Sequence, residues 1–303
     1  MPPGRRVALC SQSDSLGLPS LAVYRAAADA VGWTRLREIR YAPDNRDPEG
    51  LVATMLQGDP DVLCWCSSSP PMIEAMTEAA FRAGFRGRIL SCTADNYPRM
   101  IARTSVGFME GYTFQFPDFD DPLLAEATFF FRRPRAFFDT YNQRFPAQWS
   151  AVSWEYASIL DLWHNAVETA DTVEPVSVLA AMKRAQEMPH AFGPARWIGS
   201  ALFGIDNALV GDWPVVQIKQ GKARIVEFGS ILDRLARHGQ SLHRQFSDLG
   251  QLWHQRLAAQ AQAKAGLESA ADLTIPATAV SDPRSATVSC IRWLLRYRGR
   301  RWH

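Results

Sequence analysis

Hydroxyls and acids gather at a few short places in this 303-residue chain: Asp14 and Ser15 beside Leu16, the run Ser67 to Ser69, Thr93 with Asp95, and Glu110. Each place follows or closes a short apolar run. Side chains of this kind offer hydrogen-bond donors and acceptors to a small polar solute. A carboxylate such as Glu110 could take an ammonium or an amide N–H in a charge-assisted bond. Catalytic chemistry finds no comparable arrangement. Neither Ser13 nor the Ser67 run carries the flanking glycines of a nucleophile elbow. The segment from Ser11 to Leu18 holds Gly17 alone, too little glycine for a dinucleotide loop. Cys64-Trp-Cys66 is CxC with no second pair at zinc spacing. His238 and His243 are five apart, off the four-residue spacing of a helical zinc pair, and no second histidine stands at helical spacing from His164. The expectation is therefore a binding protein with no metal and no cofactor, and not an enzyme.

These residues need a frame that brings them together, and the hydrophobic pattern supplies one. Val7 to Gln12, Arg35 to Ala42, Asp61 to Ser67 and Arg88 to Ala94 read as strands, with helix-period stretches between them. That alternation predicts a parallel sheet with crossover helices. Ligands of such sheets sit at the carboxyl ends of the strands, so Asp14, Ser15, Leu16, Ser68, Ser69, Asp95 and Glu110 are the candidate site residues. Leu18 to Val31 forms the first helix, capped by Gly32. Arg35 to Ala42 alternates, as a strand exposed on one face does. Val62 to Cys66 is apolar throughout, as a strand buried on both faces is. Asp59-Pro60 stops the helix before it. Trp154, Tyr156, Leu160 and Trp163 make an aromatic-rich helix face that reads as core.

Composition narrows the class further. At 47% hydrophobic and 21% charged, with a formal net charge of +2, the chain is of ordinary globular make-up and offers no basis for a nucleic-acid partner. No apolar run reaches the 18 to 20 residues of a membrane span. The start, Met-Pro-Pro-Gly-Arg-Arg, lacks a secretory h-region, so the chain as written would stay cytoplasmic. Of the five cysteines, Cys10, Cys64, Cys66 and Cys92 fall on or beside predicted buried strands, where a thiol acts as a small hydrophobe.

The order of these segments resembles a known family. A strand, an SDSLG loop and a helix ending in AVGW are followed by REIRYAPDNRDPEGLVATMLQGDPDVLCWCSSSPPMIEAMTEAAFRAGFRGRIL. This looks like the second half of a type I periplasmic binding protein of the branched-chain amino acid and amide class. Within it, DPDV at 59–62 stands where the family has an NPDVV strand, AGFRG at 83–87 where a helix ends in A-GF-G, and EGYTFQFP at 110–117 where an EG strand ends in proline. FFDTYNQRFP and GIDNALVGDWPVVQIKQGKARIV resemble later blocks, so the likeness runs from about Arg6 to Val226.

The resemblance implies an α/β fold: a Rossmann-like parallel-sheet lobe of a type I periplasmic binding protein, an incomplete second lobe and a helical carboxyl-terminal extension. Residues 5–117 are expected to form the ligand-binding lobe and 118–228 to cross to the other lobe. The 229–265 segment is expected as an amphipathic helical extension, interrupted at Gly239, that could cover the sheet or self-associate. The tail 266–303 is expected to be disordered, ending in a basic, aromatic stretch. The implied function is the solute-binding component of an ABC importer, with the importer's membrane subunits as partners and the periplasm as its place. The alternative is a cytoplasmic sensor of an amide-responsive regulatory system. Family ligand contacts map to Leu16, Ser69 and Glu110. Because Leu16 and Ser69 stand where amino-acid binders often carry aromatics, an amide, a carboxylate or an aromatic acid stays open. Relatives carry about a hundred further residues ahead of the strand at Val7. The chain is thus expected to be truncated, impaired as a fragment and weak in binding.

Overall fold

The computed structural model describes residues 4–271, leaving out 93, 95, 127–133, 147, 150–152, 185–187, 191 and 192. The elements run β1 (Arg6–Gln12), α1 (Gly17–Ala30), β2 (Thr34–Tyr41), α2 (Pro48–Leu56), β3 (Val62–Trp65), α3 (Pro70–Arg82) and β4 (Arg88–Ser91). There follow α4 (Tyr97–Arg103), α5 (Val106–Met109), β5 (Thr113–Phe114), α6 (Pro122–Glu126), α7 (Pro134–Arg144), α8 (Ser153–Ala170) and α9 (Pro175–Arg184). The chain continues with β6 (Met188–His190), β7 (Gly193–Ile198), α10 (Ser200–Phe203), β8 (Ala208–Lys219), β9 (Lys222–Ser230), α11 (Ile231–Asp248) and α12 (Trp253–Ala271). Two compact units divide after Arg256, and the described part of the second is the helical stretch Leu257–Ala271.

The expected parallel sheet is present, in the order β2-β1-β3-β4-β5 with every adjacent pair parallel. Strand β3 is buried at all four residues, as its unbroken apolar run requires, whereas β2 is exposed along much of its length. Antiparallel β8 then pairs with β5, and its length lets it serve two partners: Gly211 and the residues before it pair with β7, while Asp212 onward pairs with β9.

Helix α3 shows how sequence sets the layers. Met72, Ile73, Met76, Thr77, Ala79 and Ala80 recur at helical spacing and are all buried, forming the face that lies on the sheet. With Trp65, Leu63 and Met55 they build the main core, where fully burying one such side chain contributes about 1.5–3 kcal/mol. The indole N–H of Trp65 donates to Thr77 Oγ1 at 3.1 Å, so this core tryptophan is satisfied. On the other face Val7, Leu9, Leu21, Val62, Cys64 and Cys66 pack together. Burial raises the Cys10 and Cys64 thiols above the ordinary range, which suits apolar packing rather than redox work.

Three expectations are corrected. First, α11 runs unbroken through Gly239, and the chain breaks instead at Gly250, whose φ is +67°. Its Phe246 is buried with Ala22 of α1 and Leu252, and Gln245 Nε2 donates to Asp29 Oδ2 at 3.0 Å. This face therefore lies against α1, and self-association through it gains no support. Second, the described residues of the α8 aromatic face are exposed rather than core: Trp163 is 46% and Leu160 66% exposed. The side chains of Trp154 and Tyr156 lie outside the described residues. Third, α12 stays helical to Ala271, past the start of the expected disordered tail. Residues 272–303, including the basic stretch, lie outside the described residues.

Candidate functional site

The carboxyl ends of β1, β2 and β3 are laced together by their own backbone. Gln12 N donates to Ser67 O at 3.0 Å, Ser13 N to Tyr41 O at 2.8 Å and Cys66 N to Cys10 O at 2.9 Å. Ser20 Oγ adds a bond from α1 to Cys66 O at 2.7 Å. One edge of the sheet is thereby fixed before any ligand arrives.

Asp14 shapes the first loop. Its Oδ1 accepts from Leu16 N at 3.0 Å and Gly17 N at 2.7 Å, and Oδ2 accepts from Gln12 Nε2 at 2.5 Å. It thus satisfies donors at the start of α1, as a helix cap does. Gly17 is required by a close approach: a Cβ there would stand 1.9 Å from Gln12 O. The loop presents Ser15 and Leu16 to solvent, Leu16 being 72% exposed.

The third loop is built differently. Ser69 holds the N-cap position of α3 but makes no side-chain cap. Pro70 and Pro71 occupy the next two positions, which proline tolerates because it has no N–H to satisfy. Met72 N and Ile73 N both donate to Ser69 O, at 2.9 and 3.0 Å. The α3 start therefore offers an anion few backbone donors, unlike an ordinary helix N-terminus. Between the two loops, Tyr41 is only 4% exposed and its hydroxyl lies beside that of Ser68. Neither oxygen reaches a hydrogen-bond partner at good geometry. Burial pushes the Tyr41 hydroxyl up to about 12, with Ser68 acting in the opposite direction. Both groups stay neutral at physiological pH.

The structure thus brings Asp14, Ser15, Leu16, Ser68 and Ser69 to one edge, and does not bring Glu110 there. Glu110 precedes β5, which runs parallel to β4, so it lies at the amino edge, opposite Ser69. Its Oε2 accepts from Gln220 N at 2.8 Å in the β8–β9 turn, and Lys219 Nζ stands 4.0 Å from Oε1. The expected convergence of Asp14, Ser69, Asp95 and Glu110 fails for Glu110, and Asp95, like Thr93, lies outside the described residues.

Two residues that the sequence reading left out belong to this edge. Tyr41 closes β2 opposite Gln12. Asp118, just beyond β5, is 6% exposed and accepts from the Tyr97 hydroxyl and from Trp149 Nε1 at 2.9 Å. Burial raises its carboxyl to about 6 against those two hydrogen bonds, with Asp120 raising it further and Arg224 opposing. Its only sequence signal was an acid set among aromatics, FQFPDF. Among the described residues no group of three His, Cys, Asp or Glu is placed to hold a metal ion, and no helix is long and apolar enough to cross a membrane.

Comparison with known proteins follows the same segments. No curated protein matches the chain. Among solved structures, it is similar to a leucine-binding protein from Thermotoga maritima MSB8 (TM-score 0.57, 16% identity, 76% of this chain and 61% of that one). It is similar also to a fatty acid ABC transporter substrate-binding protein from Thermomonospora curvata (0.58, 18%, 76% and 58%). A third is a solute-binding protein of an R. palustris ABC transporter in complex with benzoate (0.56, 13%, 75% and 59%). The chain spans about three fifths of the length of these structures. At such identities the likeness shows the fold, that of a type I periplasmic binding protein lobe. The family model for periplasmic binding proteins matches residues 1–223, the stretch that builds the parallel strands and their laced edge, and the chain belongs to that family.

Proposed function

We propose that this chain binds a small polar organic solute at the carboxyl edge of β1, β2 and β3, as the non-catalytic solute-binding component of an ABC importer. The importer's membrane subunits would be its partners and the periplasm its place. The observation that carries this reading is the pre-fixed edge, whose three strand-end loops are tied by backbone hydrogen bonds while Ser15, Leu16 and Ser69 stay exposed above them. A binding surface of this kind loses little entropy when the solute arrives.

Local chemistry also ranks the solutes left open by the sequence. Asp14 already occupies the donors at the start of α1, and the two prolines remove donors from the start of α3. A carboxylate would meet few N–H groups here and the negative charge of Asp14. The exposed hydroxyls of Ser15 and Ser69 can both donate and accept, which suits an amide. Calorimetry with matched amide and carboxylate pairs, such as butyramide with butyrate and benzamide with benzoate, tests the reading. Amides are expected to bind more tightly. Absence of binding by every member, amino acids included, would reject solute binding at this edge.

A further inference from the structure

A concave site lies at the opposite, amino edge of the sheet. It is a half-open cavity of about 490 Å³ between the end of α3 and α5, lined by Phe81, Phe85, Phe108, Arg86, Ser105 and two glycines. That volume falls within the range of small-molecule pockets. We propose that this cavity binds a small aromatic carboxylate, independently of the solute edge.

The walls are aromatic. Phe81 and Phe108 pack edge to face with centroids 5.1 Å apart, and Phe81 keeps 38% of its surface exposed. Edge-to-face pairs of this kind present ring faces and edges on which a further ring can stack. Gly84 and Gly107 line the same cavity, and a Cβ built at either would meet nothing within 4 Å.

The polar rim selects the charge. Arg82 pairs with Glu49 and Glu78, and Arg103 with Glu78, so the neighbouring cations are already engaged. Arg86 makes no ion pair among the described residues. Ser105 Oγ accepts from Phe108 N at 3.0 Å, which leaves its hydroxyl hydrogen available as a donor. The last carbonyls of α3 do not compete for these groups, since Ala83 N, Gly84 N and Phe85 N donate to Ala79, Phe81 and Ala80 carbonyls. A cation and a hydroxyl donor beside three phenyl rings match one ligand chemistry: a flat apolar body bearing one carboxylate.

The test titrates the full chain with 2-naphthoate, 2-naphthamide and acetate, read by calorimetry and by amide shifts in heteronuclear NMR. Naphthoate is expected to bind with a dissociation constant of about 0.1–1 mM, the range for a ligand of this size in a partly open site. Shifts should cluster at residues 81–87 and 105–108 rather than at 13–17 and 67–73. Naphthamide should bind roughly tenfold more weakly, and acetate not measurably. Arg86→Gln should weaken naphthoate by about tenfold, to the level of naphthamide, because the pair contributes as a charge-assisted bond. Gly107 lines the cavity and a Cβ there meets nothing within 4 Å, so Gly107→Leu should abolish binding of both naphthyl ligands while leaving the thermal midpoint in place. Equal affinity for naphthoate and naphthamide, no binding at about 5 mM, or full binding in the Arg86→Gln/Gly107→Leu double variant would each overturn the proposal.

Discussion

Replacing Asp118 with asparagine should remove most of one pH-dependent contribution to stability. In the folded chain both oxygens of Asp118 are hydrogen-bonded, to Tyr97 from α4 and to Trp149, yet burial holds its carboxyl at about 6. The other charged groups facing it are Asp120, which raises that value, and Arg224 of β9, which opposes it and itself pairs with Asp120 at 2.8 Å. In the unfolded chain the group titrates near its ordinary 3.8. A raised carboxyl binds more protons when folded, so its contribution is fully present below pH 3.8 and is lost as pH rises through 6. Each step of one pH between the unfolded and folded values corresponds to about 1.4 kcal/mol. The full span is therefore about 3 kcal/mol, of which about 2 kcal/mol falls between about pH 4.5 and 7.5. An asparagine at this position is neutral at every pH, can accept from Trp149, and can donate to Tyr97. Urea unfolding of both proteins at about pH 4.5, 6.0 and 7.5, followed by far-ultraviolet circular dichroism, isolates the effect. The difference between variant and wild type should move by about 2 kcal/mol in favour of the Asp118→Asn protein as pH rises. Parallel profiles, within about 0.5 kcal/mol, would show that burial of Asp118 does not set its charge.

Two further outcomes are expected. Gly17→Ala should cost about 1–3 kcal/mol in thermal or urea unfolding, despite the better helix propensity of alanine, because its Cβ would stand 1.9 Å from a backbone oxygen. Glu110→Gln should leave solute affinity measured by calorimetry unchanged, since Glu110 sits at the amino edge with Gln220 and Lys219.

The four parallel strands were legible because each is a short apolar run bounded by turn residues, and the glycines and prolines between them punctuate the crossovers. Glu110 was not. Its strand, β5, is two residues long, and its place in the sheet depends on β8, about a hundred residues later, so the sequence near Glu110 does not say at which edge it lies. Gly239 reads as a break, but a glycine inside a helix costs only about 1 kcal/mol, and burial of Phe246 beside α1 outweighs that. The donorless start of α3 could have been read directly from Ser69-Pro-Pro71, since proline has no N–H. Asp118 could not, because Tyr97, Trp149 and Arg224 reach it from 21, 31 and about a hundred residues away.

Hydrogen exchange mass spectrometry with and without a bound amide tests the central claim most directly, because it reports where the solute sits. Protection is expected in the segments 13–20, 41–44 and 66–73, the three laced loop ends, and Ser69→Ala should lower amide affinity about three- to tenfold, as loss of one neutral hydrogen bond does. Protection confined to other segments, with amide affinity unchanged in Ser69→Ala, would contradict solute binding at the carboxyl edge.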